Sequence, residues 1–151
     1  MLYFSYGSNM SFERMKERCP HHQLLGKVML KGHRMIFPRV SQSWGGGVAS
    51  IEPSNSAVVW GLLFELTYED IRSLDVYEGF KGPAHPNNAY DRDVVLVQKG
   101  STDVCALTYI ARPAQARQPT AQYMGVLIKA ALANGFPQKY IADLQKIRTG
   151  T

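Results

Sequence analysis

The chain has 151 residues, which fits one ordinary domain spanning 1–151 and leaves no room for two full-sized ones. Hydrophobic residues make up 45% and charged residues 19%, a balance that excludes a disordered chain and predicts a core able to fold alone. Seventeen Lys and Arg against 12 Asp and Glu leave a net charge of +5, so a nucleic-acid partner has to be weighed.

Leu2 to Tyr6 is a short aromatic and apolar run stopped at Gly7, which predicts a buried strand ending in a tight turn. Ser11 caps a helix through about Cys19, closed by Pro20. Gln23 to Leu30, Arg34 to Pro38, Gly47 to Ile51 and Val58 to Leu66 read as strands divided by Gly, Ser, Asn and Pro clusters. Thr67-x-x-Asp70 resembles a capping box opening a short helix to about Glu78, where Gly79 stops it. Beyond a polar loop, Tyr90 to Gln98 and Thr102 to Ala111 flank Lys99-Gly100-Ser101 as a hairpin. Thr120 then caps a helix from Ala121 to Asn134, closed by Gly135, and Pro137 begins a last one through about Ile147.

Six or seven short strands, with helices inserted singly, argue against a regular parallel βαβ sheet. The expected class is α+β: a small mixed, mainly antiparallel β-barrel with flanking helices, since curling removes exposed edges. Cys19 and Cys105 lie far apart without a C-x-x-C, so neither a zinc site nor a disulfide framework is expected, and a reducing cytosol is the simplest home. With no basic leader and no apolar run near the ~18 residues of a membrane span, the expectation is a soluble cytoplasmic protein without a membrane partner.

Four groups of residues can carry chemistry. Tyr3-Phe4-Ser5-Tyr6-Gly7-Ser8-Asn9-Met10 runs from a strand through a glycine turn into a helix start. Such a turn offers backbone N–H groups to a carboxylate or phosphate at Gly7, Ser8 and Asn9, although a simple capping turn uses the same residues. In Leu74-Asp75-Val76-Tyr77-Glu78-Gly79, helical periodicity puts Ile71, Leu74 and Glu78 on one face, so Glu78 points toward the sheet. Burial and the negative end of the helix dipole would raise its pKa toward the range of a general acid/base; a frayed last turn would leave it in water. Tyr90, Tyr109 and Tyr123 stand at element ends, where phenols either bind a substrate or fill the core. The glycines of Ser41 to Gly47 allow close backbone approach or a plain turn.

The histidines lack metal-ligand spacing. Lys27, Lys31, Arg34 and Arg39 are scattered without interleaved stacking aromatics, which reads as a solvated face and argues against nucleic acid.

In order along nearly the whole chain, Tyr3 to Met10, Ser41-Gln42-Ser43-Trp44 leading to Gly46-Gly47, Val59-Trp60-Gly61, Leu74-Asp75-x-x-Glu78-Gly79, Pro119 to Tyr123 and Asn134-Gly135-Phe136-Pro137 resemble the γ-glutamylcyclotransferases. The Tyr-Gly-Ser-Asn turn followed by the Glu-Gly pair is the specific part. The resemblance implies a small barrel with flanking helices, no cofactor, and conversion of a small-molecule γ-glutamyl substrate to 5-oxoproline plus a released amine or amino acid. It places the substrate-binding loop on Tyr3 to Ser8, the catalytic acid/base on Glu78 and substrate-contacting tyrosines on Tyr123 and Tyr90; Asn9, from the turn, and Tyr109, from the tyrosine group, stand beside them as supporting residues. γ-Glutamyl amino acids are the first choice of substrate, γ-glutamylamines the second. The loop Phe80 to Ala89, which follows Glu78, is expected to shape the leaving-group pocket. A non-catalytic module binding a carboxylate-bearing metabolite is the rival reading, and a homodimer is compatible with the chain.

Overall fold

The computed structural model describes residues 1–150. Leu2–Ser5 form β1, which pairs antiparallel with β3 (Gly46–Glu65), from Leu2 opposite Glu65 to Ser5 opposite Leu62. On its other side β1 runs parallel to β5 (Thr102–Ala111), with Tyr3 opposite Leu107. With β2 (Gln23–Ser41) and β4 (Tyr90–Lys99) the strands close into a barrel of order β1-β3-β2-β4-β5, every pairing but β1 with β5 antiparallel.

The barrel has five strands, not six or seven. Gly32 and the Pro53-Ser54-Asn55-Ser56 cluster, which look like strand breaks, are bulges in one long ribbon: the register jumps from Lys31 opposite Val58 to His33 opposite Pro53, and β2 and β3 continue past it. Gly32 has a φ of 73°, and a further shift lies between Ile36 and Arg39, around Pro38. Bulges raise local twist and bend a strand, which lets one hairpin serve both walls of a small barrel.

Four helices pack outside. Ser11 caps α1 (Phe12–Arg18), its hydroxyl accepting from the Arg14 amide. Thr67 and Asp70 form the reciprocal capping box of α2 (Tyr68–Glu78), and Thr120 caps α3 (Ala121–Ala133) by accepting from the Tyr123 amide. The last helix, α4 (Gln138–Gln145), follows Gly135-Phe136-Pro137, with the Phe136 ring against Trp60 and Tyr140.

Two backbone features position the site. A Cβ at Gly61 would run into the Ser5 carbonyl and the Phe4 ring, so glycine there lets β3 press against β1. Gly79, at φ 65°, ends α2 in a left-handed turn in which the Gly79 amide donates to Val76 and the Phe80 amide to Asp75. Helix α2 therefore stops abruptly, one residue after Glu78.

Candidate active site

Alternation along β1 sends Tyr3 and Ser5 to one side and Phe4 to the other, where its ring packs on Tyr6. Gly7 then turns the chain into a single 3₁₀ turn, Ser8–Met10, that leads directly into α1. Helix α2 approaches with Ile71 and Leu74 buried and Glu78 on the same face. Its last turn is held from the barrel side, because the Tyr109 hydroxyl donates to Asp75 Oδ1 at 2.7 Å and Arg92 lies 3.7 Å from the same atom.

These elements enclose two adjoining cavities. The inner one, about 50 Å³, is lined by Tyr3, Ser5, Tyr6, the turn Gly7-Ser8-Asn9, Tyr90 and Tyr109, with Glu78 at its edge. The outer one, about 270 Å³, shares Ser8, Glu78 and Tyr90 with it and opens between α1 and the tip of the β2–β3 ribbon. Glu78 is the only carboxylate in either lining.

Asn9 Nδ2 donates to Glu78 Oε1 at 2.8 Å and to the Tyr3 hydroxyl at 3.0 Å. Arg18 fixes which end of that amide faces the glutamate, since its Nη1 donates to Asn9 Oδ1 at 2.8 Å while its guanidinium lies over the Tyr77 ring. Burial raises the Glu78 pKa; Arg18, the Asn9 hydrogen bond and Arg14 act against it without cancelling it. The chamber phenols behave differently. Burial is the main cause that pushes Tyr3, Tyr6, Tyr90 and Tyr109 above the ordinary tyrosine range, so they remain neutral hydrogen-bond donors. Glu78 is thus the one carboxylate lining the chamber, and burial holds its pKa above the ordinary carboxylate value.

The chain is 31% identical over 154 residues to the γ-glutamylcyclotransferase of Mus musculus and 30% identical over 150 residues to that of Homo sapiens, with 97% of this chain and 78% of each relative covered. The chain belongs to the γ-glutamylcyclotransferase family. The model of the AIG2-like family matches residues 58–144, and a solved structure of a γ-glutamyl cyclotransferase superimposes with a TM-score of 0.90 at 28% identity, over 99% of this chain and 89% of that one. The γ-glutamylcyclotransferases are enzymes, and the barrel with its flanking helices is their fold.

Against this family background the sequence expectations divide clearly. Tyr3, Ser5, Tyr6, Gly7, Ser8, Asn9, Glu78, Tyr90 and Tyr109 meet around one chamber. Phe4 does not reach it. Tyr123 lines neither cavity: its hydroxyl accepts from the Ala49 amide at 2.9 Å and lies against Gly7, supporting the turn from behind. Of the loop Phe80 to Ala89, Ala89 alone lines either of these two cavities, while Phe80, Pro83 and Ala84 border a separate one with Asp91, Arg92 and Arg112. Buried Asn88 folds the rest outward, accepting from the Lys81 amide and donating to the Gly82 carbonyl and to Asp91.

Arg14, Arg18 and Arg39 were not expected at the site, and all three line the outer cavity. Arg14 and Arg18 are four apart on α1 and so share a face, a signal the sequence holds. Arg39 arrives from the far end of β2, so its reading as part of a solvated face is corrected. No group of three or more His, Cys, Asp or Glu side chains that could hold a metal ion occurs among the described residues.

Proposed function

We propose that this chain converts a γ-glutamyl amino acid or amine to 5-oxoproline and the free amino acid or amine, with Glu78 as general base and then general acid. The observation that carries the proposal is the place of Glu78: at the junction of the two cavities, held by Asn9, with a raised pKa. In this reading the glutamyl group occupies the inner chamber and the leaving group the outer one.

The substrate brings its own nucleophile. Its α-ammonium passes a proton to Glu78, and the freed amine attacks the γ-carbonyl carbon, forming the ring C–N bond of a five-membered lactam. Glu78 returns that proton to the departing nitrogen as the original amide C–N bond breaks; the ring nitrogen sheds the second proton it carries after attack and the released amine takes one up, so protons balance and the enzyme ends as it began. Positioned acid/base groups contribute about 10²–10⁴-fold. Folding the glutamyl chain into attack geometry adds more, because the ring closure is intramolecular.

The remaining chamber groups support this path. Ser5 Oγ is buried without a protein partner among the described residues, and with the Gly7-Ser8-Asn9 turn it is suited to receive the glutamyl α-carboxylate. The Tyr3 hydroxyl accepts from Asn9 and keeps its own proton for the developing oxyanion. Cys19 and Cys105 are both free thiols, which fits the proposed cytoplasmic location.

The test is incubation of the purified protein with γ-glutamyl dipeptides and mass-spectrometric detection of products. Equimolar 5-oxoproline and free amino acid are expected. Release of glutamate would mean hydrolysis and would overturn the cyclisation, whereas a ligand-induced rise in Tm with no product would point to a binding module.

A further inference from the structure

Taking the cyclotransferase reading as its base, the geometry points to the outer cavity as a subsite for an acidic leaving residue: γ-glutamyl-aspartate and γ-glutamyl-glutamate are its substrates, with Arg14 and Arg39 holding the two carboxylates of the leaving amino acid. Three guanidinium groups line this space against the single carboxylate of Glu78, and none of the three forms an ion pair among the described residues. Arg18 is committed to Asn9 and Tyr77. The other two are not committed to any acid. Arg14 lies over the Trp44 ring, 5.2 Å from its centroid, and its Nε is buried without a hydrogen-bond partner among the described residues. Arg39 makes one long contact, Nη1 to the Arg112 carbonyl at 3.3 Å.

A buried, unpartnered guanidinium nitrogen is costly in the absence of an anion. Burial, and after it the neighbouring Arg18, disfavour the charged form of Arg14, a penalty that a bound carboxylate would relieve. A γ-glutamylamine would place an alkyl chain here and leave both arginines unpaired. A neutral leaving amino acid supplies one carboxylate. A dicarboxylic one supplies a carboxylate for each guanidinium, and a guanidinium can grip a carboxylate through paired N–H donors.

The decisive comparison uses isosteres. γ-Glutamyl-aspartate and γ-glutamyl-asparagine differ by one charge and hardly at all in shape. The expected result is a kcat/KM on the order of tenfold higher for the aspartate compound, carried by KM. Arg39→Gln should collapse that ratio toward one through KM, and Arg39→Lys should restore part of it. Lys139→Gln, a remote exposed cation on α4, should leave the ratio unchanged. Equal turnover of the two compounds would overturn the subsite while leaving the cyclotransferase reading intact, and so would a Lys139→Gln effect as large as that of Arg39→Gln, which would assign the preference to long-range steering. Absence of 5-oxoproline from both compounds would overturn the cyclotransferase reading itself, and the subsite with it.

Discussion

The inner chamber and the outer cavity meet at Glu78 yet are built from opposite materials. Inside, four neutral phenols and an asparagine amide surround one carboxylate, and the amide donates to it. Outside, three arginines face the open side of that same carboxylate. The neutral phenols place no cation beside Glu78, so burial keeps its pKa raised. Cations next to it do the reverse, and Arg18 and Arg14 both pull that pKa down. In the proposed reaction, proton exchange at Glu78 and recognition of the leaving group by the arginines would therefore compete for the protonation state of one side chain.

The largest effect should come from removing the carboxylate the compartments share. Glu78→Gln keeps the Asn9 contact and the shape of the site but cannot exchange a proton, so kcat should fall by about 10²–10⁴-fold with the circular dichroism spectrum unchanged. Stability should move the opposite way. Because burial raises the Glu78 pKa, the folded chain binds that proton more tightly than the unfolded one. The stability linked to it is fully present below the unfolded pKa and is lost as pH rises through the folded one. Gln escapes this loss, so the variant should melt above wild type at neutral pH and the gap should close in acid. A variant that retained wild-type kcat would end the acid/base assignment.

A smaller effect should follow from Arg18→Gln, which tests whether the outer charge acts on the inner chemistry. Arg18 is the largest influence lowering the Glu78 pKa, and it also orients the Asn9 amide. Its loss should raise that pKa, shifting the acid limb of the kcat/KM profile to higher pH, and should lower kcat at neutral pH by roughly tenfold. Arg18→Lys retains the charge and should return the limb part-way. An unmoved limb would show that the two compartments are electrostatically independent.

Two pieces of the inner chamber were legible as local patterns, and the family resemblance is what joined them. The Tyr-Gly-Ser-Asn turn ends a four-residue strand, and Glu78 shares a helical face with Ile71 and Leu74 one residue before a glycine stop. The outer cavity was not, because long-range folding assembles it. Arg39 reaches it only because β2 runs on through the bulges at Gly32 and Pro38, residues that read as strand ends and so inflated the strand count. Asn88 turns the Phe80 to Ala89 loop away through contacts no periodicity encodes. For Tyr123, sequence placed the residue in the first turn of α3, but the direction of its hydroxyl, toward the Ala49 amide, depends on how that helix docks.

The smallest effect belongs to Ser5, and it distinguishes a chamber prepared for a ligand from one packed for stability. Ser5 is 2% exposed and its hydroxyl has no partner among the described residues, while Asn9 in the same chamber has all its contacts made. A buried hydroxyl left unpaired costs about 1–3 kcal/mol, and removing it to leave alanine's methyl group lifts most of that cost. Ser5→Ala should therefore be neutral or up to about 1 kcal/mol more stable by urea denaturation. Its KM for a γ-glutamyl dipeptide should rise several-fold, because the substrate loses a donor. Lower stability with unchanged KM would mean that the hydroxyl serves the fold. Higher stability with a raised KM would mean that the inner chamber, like Arg14 in the outer one, holds an unpaired polar group that the substrate completes.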